Sequence, residues 1–244
     1  KGLAGADFTS GYIRLASPDP LTEDDVRFFT FGVSQTPRVL LVGDRYEDTS
    51  LLLHLLQPNV AGYEASKRFL CKAVTTAEFE RETLANYDVI CVQNWQHPSD
   101  TSWTELKRFT ADGGALLITV GGEYSLDTSA WTTTDSTELL PGIPLTPVRF
   151  RREAARISLN ADDNPIVSSF QASPEAKTEL NRAIFDRCWT FNQHADARVL
   201  MTFIHETNPQ PALLERKVGS GRVLLFTSAM DNNGDDKWNE DFVV

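Results

Sequence analysis

The chain has 244 residues, of which 41% are apolar and 23% charged, and 23 Lys and Arg against 34 Asp and Glu give a formal net charge of −11. The apolar fraction excludes a disordered chain, and 14 Gly and 12 Pro exclude a collagen-like composition. The acidic balance argues against nucleic acid or anionic membrane surfaces as partners, because both attract clustered Lys and Arg. No apolar stretch of the sequence reaches the roughly 18 to 20 residues that a membrane-spanning helix needs.

The first 35 residues are predicted to form a small β-hairpin. Residues 11–15 alternate polar and apolar side chains, and residues 26–33 form a second strand pattern after a turn rich in Pro and Asp. A two-stranded hairpin is only marginally stable alone in water. We therefore expect residues 1–35 to be the remnant of a β-domain upstream, and the alternative, that the hairpin leans on the main domain, stays open. We also expect both ends of the sequence to be cuts through a longer polypeptide, since the sequence starts without Met and stops where an element begins.

From Pro37 onward, apolar strands alternate with helical patterns. The strand candidates cover residues 38–42, 68–74, 88–92 and 115–120. Near-continuous apolar strands joined by helices are typical of a parallel sheet that is covered on both faces. We expect residues 36–244 to form one α/β domain, a flavodoxin-like three-layer sandwich with a mainly parallel sheet.

The sequence is less regular between residues 124 and 195, which we expect to form an irregular insert in this domain. Residues 148–151 and 155–159 alternate within it like exposed strands. The β pattern returns towards the end, where residues 212–218 and 222–227 flank Gly219-Ser220-Gly221. This arrangement predicts an antiparallel hairpin at the edge of the sheet.

Three stretches of the chain carry a resemblance to a known superfamily. Tyr87-Asp88-Val89-Ile90 precedes a helical pattern and Gly113-Gly114-Ala115-Leu116-Leu117, and residues 219–228 read GSGRVLLFTS. In these motifs the chain resembles the class I glutamine amidotransferase-like superfamily, in particular its ThuA-like branch. Its layout is also similar to the C-terminal region of BatA-like (aerotolerance-type) bacterial membrane proteins. The resemblance covers nearly the whole chain.

The resemblance implies a cellular setting. BatA-like proteins carry N-terminal transmembrane segments and a β-sandwich ahead of their amidotransferase-like domain, and the resemblance implies that residues 1–35 are the tail of that β-sandwich. By this resemblance the chain is a soluble part of a bacterial inner-membrane protein, on the periplasmic side, and its partners are other proteins of a membrane complex. The resemblance implies no cofactor.

The nucleophile of the amidotransferases is missing from the turn where the resemblance places it. Those enzymes cleave glutamine with a cysteine in a G-x-C-x-G turn, assisted by His and Glu. Residues 120–124 of this chain read Val-Gly-Gly-Glu-Tyr, and His205-Glu206 has no thiol to activate. We therefore expect a non-catalytic interaction or scaffold domain. The alternatives are a ThuA-like hydrolase or carbohydrate-related enzyme, and a small-ligand sensor.

The cysteines indicate no metal site. Cys71, Cys91 and Cys188 lack the CxxC and Cys/His spacings of zinc ligands. Cys91 lies in the apolar run 89–92, which is typical of a small buried side chain. We expect all three to pack in the interior.

Polar side chains follow the predicted parallel strands at their carboxyl ends, where α/β folds usually bind ligands. Asp44 follows the first strand, Asn94 and His97 follow the third, and Gly122 and Glu123 follow the fourth. These five residues are the candidate ligand-binding site. The alternative, that they are ordinary loop residues, stays open at this point.

Two further charged stretches have simpler interpretations. Residues 231–236 read DNNGDD but lack the Glu of a calcium loop, which favours an acidic turn. The basic residues Arg149, Arg151, Arg152 and Arg156 are interpreted as a solvated edge, with a docking surface for an acidic partner as the alternative.

Overall fold

The computed structural model describes residues 7–15, 25–33, 36–58, 68–121, 126–150, 154–160, 163–205 and 209–230. The chain divides into two compact units, Lys1–Thr36 and Pro37–Val244. The first unit contains strands β1 (Asp7–Arg14) and β2 (Val26–Val33), which pair antiparallel. The predicted N-terminal hairpin is therefore confirmed.

The second unit alternates strands and helices over its first half and is richer in strands over its second half. Its strands are β3 (Arg38–Gly43), β4 (Leu70–Thr75), β5 (Val89–Gln93), β6 (Ala115–Thr119), β7 (Gly142–Arg149), β8 (Arg156–Leu159), β9 (Arg187–Gln193), β10 (Arg198–Ile204), β11 (Gln210–Val218) and β12 (Gly221–Phe226). Its helices are α1 (Tyr46–Leu56), α2 (Thr76–Phe79), α3 (Asp100–Ala111), α4 (Thr134–Leu139), α5 (Pro165–Ala172) and α6 (Pro174–Arg182), with short 3-10 helices at Leu84–Asn86 and Thr128–Trp131.

An eight-stranded sheet forms the centre of the second unit. Its strands lie in the order β4-β3-β5-β6-β12-β11-β10-β8. The first five are parallel to one another, and β11, β10 and β8 each pair antiparallel with their neighbours. The order β4-β3-β5-β6 is the 2-1-3-4 order of flavodoxin-like folds. The predicted flavodoxin-like, mainly parallel α/β class is confirmed.

Helices cover both faces of the parallel strands. On one face, Leu40, Ile90 and Ile118 form a buried cluster with Trp103 and Leu106 of α3. The opposite face packs against α1. The buried residues of this smaller cluster are Val39, Leu41, Leu52 and Cys91. The strands are apolar on both faces because neither face meets water, which explains their continuous apolar runs.

Within its described residues, the stretch 124–195, expected to be an irregular insert, contains three α-helices, one 3-10 helix and three strands. β8 belongs to the central sheet, where it forms the edge beside β10. β7 and β9 form a separate two-stranded ladder. Pro144 and Pro147 argue against a strand over the first part of β7, because proline has no N–H to donate to a ladder. The register of the ladder shifts between these two prolines.

The C-terminal hairpin is present as β11 and β12, with Gly219 at a φ of 57° in the turn. The hairpin lies further inside the sheet than its sequence indicated, because β10 and β8 extend the sheet beyond β11. The antiparallel edge of the sheet is therefore formed by β10 and β8. A second apolar cluster lies here, centred on Phe185, Phe203 and Leu200.

Candidate functional site

The carboxyl ends of β3, β5 and β6 lie side by side, and they bring two of the predicted site residues, Asp44 and Asn94, to one edge. Gly43 of β3 is in register with Gln93 of β5, and Gln93 is in register with Thr119 of β6. Asp44 and Asn94 directly follow the first two strands, as predicted. Gly122 and Glu123 lie outside the residues that the structure describes, and so do Glu206, residues 231–236, Arg151 and Arg152.

Asp44 connects two of the loops at this edge. Its Oδ2 accepts a hydrogen bond from the backbone N–H of Gln96 at 3.1 Å. The loop after β3 is thereby attached to the loop after β5. This contact gives Asp44 a structural role at the edge.

Asn94 is held in an unusual backbone conformation, with a φ of 56°. Its side-chain amide donates to Oδ1 of Asp48 at 3.2 Å, and its backbone N–H donates to the carbonyl of Thr119 at 3.3 Å. Gly121 lies directly against it, since a Cβ there would be 1.4 Å from Asn94 Oδ1. The structure places the predicted site residue Asn94 in contact with a buried carboxylate.

Asp48 is the residue that sequence reasoning missed. It is 1% exposed, and its Oδ2 accepts the backbone N–H of Arg45 at 2.8 Å, which completes a capping box at the start of α1. The Arg45 guanidinium lies 3.5 Å from Oδ1. The signal for this role was an acidic residue three positions after the end of the extended segment at Arg45.

His97 lies further out and pairs with a different residue. Its side chain is 68% exposed, and its Nδ1 is 3.6 Å from Oδ2 of Asp127. Hydrogen bonds from the side chain and the backbone N–H of Ser129 lower the pKa of Asp127, and His97 adds to this effect. The imidazole and the carboxylate therefore form an exposed pair beside the sheet edge.

The three thiols lie away from this edge. Cys91 is 5% exposed in the middle of β5, and burial raises its pKa to about 12. Burial also raises the pKa of Cys71 in β4, and Cys188 is 1% exposed in β9. A thiol held neutral in this way is a poor nucleophile. The predicted interior positions of Cys91 and Cys188 are confirmed, and Cys71 is half-buried.

His205, the histidine of the possible relict pair, is distant from the turn after β6. It follows β10, which is separated from β6 by β12 and β11. Three strand spacings of ~4.8 Å put the ends of β10 and β6 about 14 Å apart. His205 packs on Phe150, with ring centroids 5.1 Å apart.

Neither a metal cluster nor a membrane span is found in the part of the chain that the structure describes. His, Cys, Asp and Glu side chains do not gather there in groups of three that could hold a metal ion. None of the helices described is long and apolar enough to cross a membrane.

Comparison with known proteins gives the fold. No protein family model matches the sequence, and no curated protein matches it. The solved cytoplasmic protein STM3548 from Salmonella typhimurium is 16% identical, with 92% of this chain and 86% of that one covered and a TM-score of 0.56. A ThuA-like protein from Bacteroides uniformis is 9% identical, with 84% and 89% covered and a TM-score of 0.53.

An enzyme also appears among the similar structures. The β-galactosidase from Bacillus circulans sp. alkalophilus is 13% identical with a TM-score of 0.53. The match covers 80% of this chain and 29% of that enzyme, so it concerns less than a third of the enzyme's length. At these identities the comparisons establish the fold alone: the chain shares the α/β fold of a ThuA-like protein.

Proposed function

We propose that this chain is a non-catalytic interaction domain on an amidotransferase-like frame, in a bacterial membrane protein of the BatA-like kind. Its partners are other proteins of a membrane complex. The domain lies on the periplasmic side of the inner membrane. Two observations support this proposal. The thiols of Cys91 and Cys188 are buried within strands, and the start of the turn after β6 contains no cysteine.

Glutamine cleavage requires a thiolate that is presented to the substrate beside a general base. The turn after β6 begins with Val120 and Gly121 and offers no sulfur. The thiols of Cys91 and Cys188 are buried within strands, and burial raises the pKa of Cys91 to about 12. An acyl-enzyme route through any of these side chains is therefore unfavourable, which supports a binding role over amidotransferase activity.

The N-terminal hairpin supports protein contact. Phe28 is 82% exposed, Ile13 is 66% exposed and Tyr12 is 62% exposed. Tyr12 and Phe28 face each other across the two strands, with ring centroids 6.2 Å apart. An exposed apolar patch such as that of Tyr12 and Phe28 is typical of an interaction surface, and a two-stranded hairpin gains stability when a partner covers it.

Two measurements on the 244-residue chain test this proposal. Incubation with L-glutamine should release no glutamate above the rate without protein. A photo-crosslinking amino acid at Phe28 should give covalent adducts with membrane proteins in bacterial cells, identified by mass spectrometry. The same group at Lys177, which is exposed on α6, is the matched control and should give no such adducts. Glutamine turnover, or equal adducts from both positions, would overturn the proposal.

The location is tested separately. Alkaline phosphatase fused to the carboxyl end of the natural protein becomes active only in the oxidising periplasm, whereas green fluorescent protein exported by the general secretion route does not fluoresce there. We expect active phosphatase and no fluorescence. The reverse pattern would place the domain in the cytoplasm.

One observation favours a second candidate, a ThuA-like hydrolase or carbohydrate-related enzyme. His97 and Asp127 form an exposed pair with 3.6 Å between Nδ1 and Oδ2, in which the carboxylate could orient an imidazole base. The similar region of a protein named as a β-galactosidase makes aryl β-galactosides reasonable probes. Hydrolysis of 4-nitrophenyl β-galactoside or 4-nitrophenyl acetate that is lost in His97→Gln would support this candidate. Activity unaffected by that substitution would exclude a role for the pair.

A further inference from the structure

Two fully buried polar side chains stand opposite each other at the ends of β5 and β6. Gln93 and Thr119 are both 0% exposed, and they are in register as neighbours in the parallel ladder. The side-chain amide of Gln93 donates to the carbonyl of Met230 at 3.0 Å. Neither Gln93 Oε1 nor Thr119 Oγ1 has a hydrogen-bond partner among the residues that the structure describes.

This arrangement is costly for a protein with nothing bound. Leaving a buried polar atom without a partner costs the free energy of removing that atom from water, and most buried polar groups in native structures are paired. Apolar residues at both positions would continue the buried α1 face of β5 and β6, where Cys91 is buried and Leu117 packs against the same cluster. A departure from the most stable choice at two adjacent positions is typical of a binding site.

The chemistry of the two atoms defines what they can bind. The bond to the Met230 carbonyl requires the nitrogen of Gln93 at that position, so its oxygen is the free atom and can only accept. The hydroxyl of Thr119 can donate one hydrogen bond and accept others. A matching ligand therefore presents a donor and an acceptor close together.

The surroundings favour a neutral ligand. The nearby carboxylate of Asp48 is already engaged by Asn94, by the backbone N–H of Arg45 and by the Arg45 guanidinium. An anion would meet the carbonyl dipole of Gln93, which repels negative charge. A cation would find Asp48 already neutralised by Arg45. Hydroxyl groups and primary carboxamides carry a donor and an acceptor without charge.

We infer that Gln93 and Thr119 form the hydrogen-bonding pair of a binding site for a small neutral ligand that bears a hydroxyl or a carboxamide group. The site lies on the α1 side of the sheet, the face that Cys91 and Leu117 share with them at alternate positions of β5 and β6. It is separate from the exposed His97–Asp127 pair. Ligand binding at this point adds to the proposed interaction role and does not depend on it.

Nuclear magnetic resonance on the isotope-labelled 244-residue chain tests the inference with two probes, acetamide and ethylene glycol. The side-chain amide signal of Gln93, assigned by its loss in Gln93→Met, should shift and saturate with at least one probe. Acetamide alone would identify a carboxamide site, and ethylene glycol alone a hydroxyl site. The inference would be overturned if neither probe produced a shift that saturates.

Matched variants separate binding from general packing. Thr119→Val should weaken probe binding by tenfold or more, and Thr119→Ser, which keeps the hydroxyl, should retain it. Thr110 is also 0% exposed, but its hydroxyl donates to the carbonyl of Leu106 at 2.9 Å. Thr110→Val should therefore reduce stability and leave probe binding unchanged. Equal affinity in wild type and Thr119→Val would overturn the inference, and thermal unfolding of each variant shows that it is folded.

Discussion

Gly121 lies so close to Asn94 that a Cβ on the glycine would come 1.4 Å from Oδ1 and 2.1 Å from Cγ of the asparagine. Asn94 itself has a φ of 56°, in the left-handed backbone region that residues other than glycine seldom adopt. Its amide donates to the buried Asp48. The turns after β5 and β6 are therefore fixed against each other and against the start of α1. Strained backbone of this kind concentrates at functional sites.

Gly121→Ala should lower the free energy of unfolding by roughly 1–3 kcal/mol, because the methyl group displaces the Asn94 side chain and breaks its bond to Asp48. Adding Asn94→Gly removes the overlap and suits the positive φ, so the double variant should recover part of the loss. Urea unfolding followed by tryptophan fluorescence measures these differences. Losses that simply add in the double variant would show that the two residues are not coupled.

Asp48→Asn should also destabilise the second unit, by about 1–3 kcal/mol. The carboxylate accepts the backbone N–H of Arg45 and the amide of Asn94, and the new amide would turn a donor towards one of them. Asp100, exposed in the first turn of α3, is the matched control. Its change to Asn should cost less than about 0.5 kcal/mol, as for most surface substitutions. Equal effects in urea unfolding at neutral pH would contradict the capping role of Asp48.

The parallel half of the fold could be predicted because its strands are apolar on both faces. Leu40, Ile90 and Ile118 are each 0% exposed, and their strands stand out in the sequence as unbroken apolar runs. Glycine and polar residues mark the carboxyl ends of these strands. The position of Asp44 and Asn94 at one edge follows directly from this pattern.

The rest of the site depends on contacts that a local pattern does not contain. Gln93 looks like the end of a strand, and its burial and orientation depend on Met230, which is 137 positions further along the chain. In the sequence Asp48 resembles an ordinary acidic residue in the first turn of a helix. Its burial follows from the packing of α1 on the sheet. Only the end of β7, at residues 148–149, was predicted, because the prolines earlier in the strand break its pattern. His97 was expected at the shared edge, and its pairing with Asp127 depends on the loop that precedes Thr128–Trp131.

The start of α5 offers a third test. Asn164 is 4% exposed, its Oδ1 accepts the backbone N–H of Ile166, and its amide donates to the buried Glu215 at 2.8 Å. Asn164→Ala should therefore cost about 2 kcal/mol or more, because both the helix cap and a partner of a buried carboxylate are lost. Ser173→Ala removes the cap of α6, where the residue is half-buried, and should cost about 1 kcal/mol or less.

Urea unfolding compares the two cap variants directly. The larger loss in Asn164→Ala should shrink when Glu215 is changed to Gln, because the neutral side chain tolerates the missing donor better than a carboxylate does. Arg222, which also donates to Glu215, is kept in all variants. Indistinguishable losses for the two caps would show that the Asn164–Glu215 contact adds nothing to the cap.

The contact between Tyr87 and Glu82 links stability to alkaline pH. Tyr87 is 9% exposed and its hydroxyl donates to Oε2 of Glu82 at 2.6 Å. Burial, followed by the bond to Glu82, raises the pKa of Tyr87 to about 12. An unfolded tyrosine ionises near pH ~10, so the folded chain retains a proton that the unfolded chain releases. The stabilisation is fully present below pH ~10 and is lost as the pH rises towards the folded pKa.

Tyr87→Phe should accordingly unfold about 1 kcal/mol more easily at neutral pH, since one hydrogen bond is lost, and should lose less stability than the wild type between pH ~9 and ~11. The difference in unfolding free energy between the two proteins should therefore narrow as the pH rises. Glu82→Gln, which keeps an acceptor but removes the negative charge, should give an intermediate pH dependence. Urea unfolding at intervals across this range measures all three. Parallel pH curves for wild type and Tyr87→Phe would show that Tyr87 ionises alike in the folded and unfolded chains.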